Sequence, residues 1–364
     1  MGGKVEMTSA PPTFNPGDQL YKYQLVSKIG EGQYGQVWTA RDQALNCEYA
    51  IKILKPGVPV DQRLREAQIG HQLKHNNLVQ IHQADVVSLG STEHVVIVAM
   101  DYLPNGSIMR KVNPGNFCPL PETLQIAQDV LCGLDYLHAN GFFHNDIKPE
   151  NILIGPTGQA MLTDYGIAAV SADGKPVPAV GAYRLHMAPE VISGGQISAL
   201  TDLFQVGLTL YRLANGVSSL RAKQSTLGWN DYYKAVNTGV LVKKNDFLAH
   251  TPAALRRVIL RAIDPDPTKR FQSALEMRRA LEKLSFPGYW TVSPTGRLIG
   301  VSGNHEYRFV KQVTAKNQVS CTSYKKNRAS GNETKFTRFC GQKLTAKQAD
   351  ALSAGLMKFV VHGS

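Results

Sequence analysis

Apolar positions in the first quarter of the chain recur every second residue, and further on every third or fourth, so the pattern predicts strands first and helices later. Tyr23-Gln24-Leu25-Val26-Ser27-Lys28-Ile29 alternates, a glycine-rich turn follows, and Gln36 to Ala40 resumes as the second arm of a hairpin. Cys47 to Leu54 is another β-type run. A helix is expected over about Asp61 to Lys74, then strands near Leu78 to Ala84 and His94 to Met100. Beyond Pro104-Asn105-Gly106 the period lengthens. Ile126, Val130, Leu134 and Leu137 make a helical stripe that stops at Asn140-Gly141, and a second long helix spans about Thr201 to Asn215 and stops at Gly216. Further helices are expected near Pro252 to Ala262 and Ser273 to Leu284. Composition changes at Pro287-Gly288, where short polar strands begin. The last element is a helix with Thr345 as N-cap, Gln348 three residues on, and Ala349, Leu352 and Leu356 on one face. Residues 1–20, rich in Pro, Gly and polar side chains, read as a flexible leader.

Composition narrows the class. The chain has 364 residues, 43% hydrophobic and 19% charged, as expected of a folded protein large enough for two lobes and an appendage. No run reaches the roughly 18 apolar residues of a membrane span. The N-terminus has no apolar signal segment, and Glu6 stands where a myristoylation signal has Ser or Thr, so a cytoplasmic protein without membrane contact is expected. Five cysteines without a C-x-x-C pair argue against a disulfide framework and against a zinc site built from cysteines. The net charge of +12 sits mostly in residues 286–364, which hold twelve Lys/Arg against the acids Glu306, Glu333 and Asp350. With Tyr307, Phe309, Tyr324, Phe336 and Phe339 interleaved, that segment suits an acidic or nucleic-acid partner. A packing domain with a solvated basic face is the plainer reading.

Three groups of residues carry chemistry. Gly30-Glu31-Gly32-Gln33-Tyr34-Gly35-Gln36-Val37 has the glycine spacing that lets backbone N–H groups approach phosphate oxygens. A strand follows these glycines, whereas a dinucleotide site needs a helix there, so that alternative falls. Tyr49-Ala50-Ile51-Lys52 places a lysine on a strand, opposite in phase to apolar neighbours, with Glu66 as its expected partner. His144-Asn145-Asp146-Ile147-Lys148-Pro149-Glu150-Asn151 follows, then Asp164-Tyr165-Gly166 and Ala188-Pro189-Glu190.

In this order and spacing, the set resembles the eukaryotic-type serine/threonine protein kinase family over about residues 23–285, including its bacterial members. The resemblance implies an α+β, bilobal protein-kinase fold. Residues 21–103 would form a small β-rich lobe with one main helix, 104–285 a larger helical lobe, and 286–364 a small basic C-terminal α+β domain. It also implies ATP and Mg²⁺ as cofactors and Ser/Thr hydroxyls of proteins as acceptors. Asp146 would take the hydroxyl proton, Lys148 would steady the γ-phosphate, and Asn151 and Asp164 would hold the metal ions. Ile29, Gly30, Gly32 and Gly35 would cover the nucleotide, and Lys52 with Glu66 would hold its phosphates. Val37, Ala50 and Leu153 would sandwich adenine, and Met100, Asp101 and Leu103 would form the hinge. Asp202 would prop the catalytic loop, and Arg270 would pair with Glu190. A pseudokinase and a small-molecule phosphotransferase are the rival readings. The first is disfavoured by the presence of Lys52, Asp146, Asn151 and Asp164, the second by the complete glycine-rich loop and the Ala188-Pro189-Glu190 segment.

The sequence also departs from the family. Asn145 replaces the arginine that docks a phosphorylated activation loop, so activity independent of loop phosphorylation is expected. The Thr usual shortly before Ala188-Pro189-Glu190 is missing. Gly70 stands where a bulky apolar residue would stack with Ile81, Tyr165 and His144. This suggests a loosely seated Glu66 helix on which a regulator acts.

Overall fold

The computed structural model describes residues 13–32, 35–55, 64, 68, 70–89, 93–113, 115–164, 169–170, 175–178, 183–313 and 318–363. Alternation in the first hundred residues produces a six-stranded antiparallel sheet of β1 (Gln19–Leu20), β2 (Tyr23–Gly32), β3 (Gly35–Asp42), β4 (Cys47–Leu54), β5 (Ile81–Leu89) and β6 (Glu93–Asp101), in spatial order β1-β2-β3-β4-β6-β5. Because side chains alternate, the sheet has two distinct faces. Leu25, Trp38, Ala40, Ile51, Ile53, Ile97 and Ala99 point one way and close a small core with Leu20 and Tyr23. Lys52 lies opposite Val37 and Val98, and Ala50 opposite Met100, so these residues share the other face, towards the large lobe.

Residues 13–20 depart from the expected flexible leader. Leu20 is 1% exposed, Phe14 packs on the small core, and Gly17 N–H bonds the Leu25 carbonyl at 2.8 Å. Two apolar side chains in this polar stretch suffice to fasten it to the sheet edge. Residues 1–12 lie outside the described set. The helix expected over Asp61 to Lys74 is seen only in part, since Glu66 and most of its neighbours also lie outside it.

The large lobe is built on α1 (Leu120–Ala139), α2 (Ala199–Asn215), α3 (Ser219–Asn237), α4 (Ala253–Ala262) and α5 (Ala274–Glu282). Between α1 and α2 lie the short strands β7 (Ile152–Ile154) and β8 (Ala160–Leu162), which form a hairpin. In α1 the predicted stripe Ile126, Val130, Leu134 and Leu137 is buried. α2 begins at a Ser198 capping box with Thr201 and is buried almost all round, which places it at the lobe's centre. Arg270, fully buried, donates to both Glu190 oxygens at 2.9 and 2.8 Å and to the Asp264 and Leu200 carbonyls. Burial would raise the Glu190 carboxyl, but the bonds and charge of Arg270 hold it below the usual range. The predicted pairing of these two residues is present.

The C-terminal residues form a second antiparallel sheet, β9 (Gly288–Val292), β10 (Leu298–Ser302), β11 (His305–Val313), β12 (Val319–Asn327) and β13 (Glu333–Lys335), with β14 (Gly341–Leu344) also on β12. α6 (Ala346–His362) packs on one face, started by the predicted Thr345–Gln348 capping box. This unit is no loose appendage. Trp290, Tyr307, Phe339, Leu356, Val360 and Val361 belong to the same continuous core as the helical lobe. All three of its acids are spent on ion pairs, Glu333 with Arg308, Asp350 with Lys311 and Glu306 with Arg328. Its remaining basic residues therefore leave the segment strongly positive.

His250 sits at the seam between the two units. Its ring lies 4.7 Å from that of Phe117, it faces a crevice shared with Trp290 and Val361, and its Nε2 is buried without a hydrogen-bond partner among the described residues. Burial, with Arg256 nearby, lowers its pKa to about 4. Between the ordinary histidine value and about 4 the unfolded chain binds the extra proton, so this contribution is complete above that window and lost as pH falls through it. Wild type should lose on the order of 3 kcal/mol across the window from this group, and His250→Leu should flatten the loss, measured by urea denaturation from pH 7 to pH 4.

Candidate active site

A buried carboxylate positions the catalytic loop. Asp202, in the first turn of α2 and 0% exposed, accepts the backbone N–H of His144 at 2.9 Å and of Asn145 at 2.7 Å, and bonds His138 Nε2 at 2.8 Å. One turn on, Gln205 accepts Ile147 N–H at 2.9 Å and donates to the Asn145 carbonyl at 2.9 Å. Thr209 donates to the Ile147 carbonyl. Arg212 reaches Glu150 with two nitrogens, at 3.0 and 2.6 Å, and His186 at 3.2 Å. Positions 202, 205, 209 and 212 share one helical face, so α2 offers a polar ladder along which residues 144–150 are hung.

The loop so held has an unusual backbone. Asn145 has φ +61° and Asp164 φ +71°, in the left-handed region where Asn and Asp are the least costly side-chain residues. Asn145 is thus the residue type this conformation favours. His144 links the two segments, with its N–H on Asp202 and its Nε2 3.1 Å from the Thr163 carbonyl.

At the loop's centre Asp146 is 2% exposed. Its Oδ2 accepts Lys148 Nζ at 2.7 Å and Asn151 Nδ2 at 2.8 Å, while Asn151 also bonds the Asp146 carbonyl. Its Oδ1 has no partner among the described residues. One carboxylate oxygen is therefore locked, and the other is buried without a partner among the described residues. Lys52, 6% exposed, meets Asp164 Oδ1 at 2.7 Å. Burial works against the charged form of Asp164, but the charge and bond of Lys52 outweigh it and hold the carboxyl below its ordinary value. Asp146, Lys148 and Asn151 thus form one hydrogen-bonded group and Lys52 with Asp164 a second, and the charge of Lys148 also favours the Asp164 carboxylate.

Around this centre Ala50, Met100 and Leu103 are buried, and Val37 and Leu153 pack against the same core. The hinge carries specific backbone bonds: Asp101 N–H is taken by the Gln80 carbonyl, and the Leu103 carbonyl by Gly106 N–H. Gly35 has φ +150°, and a Cβ there would lie 2.0 Å from the Ile53 carbonyl oxygen, so only glycine fits. Gly30 and Gly32 lie on the same hairpin, and Ile29 beside them is half exposed. Glu66 and Tyr165 lie outside the described residues.

Gly70 overturns an expectation. Rather than a gap in an apolar stack, a Cβ at Gly70 would lie 2.3 Å from Ile81 Cδ1 and 2.8 Å from Cγ1. Ile81 already fills the space beside Gly70. Gln205, Thr209, Arg212 and His186 are site residues that sequence reasoning missed. For the first three the signal was polar residues spaced 3, 4 and 3 on from Asp202 inside an otherwise apolar helix; His186 lies outside that helix and had no such signal.

The pattern that defines a protein kinase domain matches residues 23–282. A Clostridium perfringens protein with a serine/threonine-protein kinase name is 27% identical over 280 residues, 75% of this chain and 39% of that one. Serine/threonine-protein kinase PrkC of Bacillus subtilis is 27% identical over 273 residues, 70% of this chain and 39% of its own. PknB of Mycobacterium leprae is 25% identical over 281 residues, 71% and 42% respectively. Each match therefore spans well under half of the relative.

Asp202→Asn turns one acceptor into a donor facing the loop amides, and it should cost about 1–3 kcal/mol for each amide left unpaired. Equilibrium denaturation measures the loss. Gly70→Leu forces overpacking against Ile81 and should destabilise by about 1–3 kcal/mol, seen as a lowered Tm, rather than tighten the lobe.

Proposed function

The chain belongs to the protein kinase domain family, and from that premise we propose that it transfers the γ-phosphoryl group of ATP to Ser or Thr hydroxyls of proteins. The observation that carries this reading is Asp146, with Oδ2 fixed by Lys148 and Asn151 and Oδ1 kept without a partner among the described residues. A substrate hydroxyl placed at Oδ1 is oriented and gives up its proton there. Lys148, held beside it, neutralises charge on the transferring group. Phosphoryl transfer asks little else of a protein than positioning and charge.

The remaining residues fit the nucleotide. Lys52 is placed to reach α- and β-phosphate oxygens. The Asp101 carbonyl and Leu103 N–H would meet the adenine edge, with Ala50, Val37, Met100 and Leu153 around the ring. Asn151 donates through Nδ2, which turns its Oδ1 the other way, and Asp164 offers a carboxylate. Two oxygen donors of this kind suit Mg²⁺, which takes the rest of its shell from phosphate and water. When bound, the ion neutralises charge on the β- and γ-phosphates. The preserved ion pair of Lys52 and Asp164 and the uncommitted Asp146 oxygen favour an active enzyme over a pseudokinase. Asn145 supports control that does not pass through a phosphorylated loop, because an asparagine offers a phosphate no cation.

Phosphosite mapping by mass spectrometry after incubation with ATP and Mg²⁺ should find phosphoserine and phosphothreonine with wild type. Asp146→Asn should lower kcat by about 10²–10⁴ with little change in ATP binding. Equal phosphorylation by the variant would defeat the assignment. Activity that disappears after phosphatase treatment of the purified enzyme would defeat the proposal on control.

A further inference from the structure

The segment that follows the catalytic loop in space carries a cation the transfer reaction does not use. The Tyr183 ring lies on Lys148, with Nζ 4.5 Å from its centre, so residue 183 borders the place where a substrate hydroxyl would meet Asp146. The next residue, Arg184, is exposed, yet its side chain is fixed. The guanidinium carbon sits 3.9 Å over the Trp229 ring and 5.8 Å from the Tyr233 ring, and Nε donates to Tyr233 Oη at 2.9 Å. Trp229 and Tyr233 pack on each other, and Tyr232 beside them bonds the Leu185 carbonyl at 2.8 Å. α3 therefore holds this stretch from below through three aromatic residues. Neither Nη of Arg184 has a hydrogen-bond partner among the described residues.

Among the described residues, four acids of the catalytic centre each carry a cation. Asp146 is tied to Lys148, Glu150 to Arg212, Asp164 to Lys52 and Glu190 to Arg270. An acidic group on a substrate would find a preorganised guanidinium edge there. A planar fork with its side-chain entropy already spent is the arrangement that best binds a carboxylate in two-point fashion.

We propose that Arg184, clamped by Trp229 and Tyr233, is a subsite for an acidic side chain, and that this enzyme selects protein substrates with Asp or Glu close to the acceptor Ser/Thr. One chain step from the residue touching Lys148 sets the reach to within about two substrate residues of the acceptor. The inference rests on the kinase reading above. Arg184 is a specificity-determining residue and Trp229 a positioning residue.

The test compares kcat/KM for three sets of Ser peptides, identical except for Glu, Ala or Lys at each position within two residues of the serine. Wild type should favour one Glu position over Ala by about 10-fold or more, the size of a charge-assisted hydrogen bond. Arg184→Glu should reverse the order at that position, so that Lys is preferred. Trp229→Leu, which frees the guanidinium, should shrink the Glu preference without reversing it. If wild type phosphorylates all peptides equally, or Arg184→Glu keeps the Glu preference, the subsite is wrong and the kinase reading stands. If wild type phosphorylates no peptide and no generic protein substrate, both are overturned.

Discussion

The buried carboxylate of Asp202 is the constraint on which the active centre depends. A charge taken out of water is costly unless hydrogen-bond donors surround it. Here the donors are two consecutive backbone amides, of His144 and Asn145, and the ring of His138. Satisfying the carboxylate and fixing the loop are one event. The loop amides have no helix or sheet ladder to pair with, so without Asp202 they too would be buried and unpaired. Gln205, Thr209 and Arg212 extend the arrangement along the same face of α2, and the result is a loop, residues 144–150, attached to a helix buried almost all round.

Rigidity of that kind permits a strained conformation. Asn145 and Asp164 keep positive φ values because the surrounding bonds over-determine them. Asp146, lying next to Asn145, shares one oxygen with Lys148 and Asn151 and leaves the other unpartnered. The asymmetry between the two oxygens sets this carboxylate apart from the fully paired acids around it. Charge around it is paired locally, with Asp146 on Lys148, Asp164 on Lys52 and Glu150 on Arg212.

The C-terminal sheet and α6 extend the same core. Trp290, whose Nε1 donates to the Met357 carbonyl at 3.1 Å, packs where β9, α6 and the helical lobe meet. A basic surface so tightly joined to the lobe moves with it. Its charge is therefore a fixed part of the field around the two lobes rather than that of a tethered tail.

Much of this was legible in the sequence. Period-2 and period-3.6 patterns name the strands and helices, because alternate burial on a sheet and a stripe on a helix leave their mark residue by residue. The chemistry of the site was legible too, since Lys52, Asp146, Lys148, Asn151 and Asp164 occur at fixed intervals within short segments. Other features depend on which side chains share space, and no local pattern records that. Ile81 occupying the room beside Gly70, Leu20 and Phe14 anchoring a polar leader, Trp290 fusing the C-terminal unit to the helical lobe, and Trp229 clamping Arg184 all join residues distant along the chain. Spacing along the backbone determined what the residues can do chemically. Packing across it decided which of them are committed to one another and which keep an unpartnered atom.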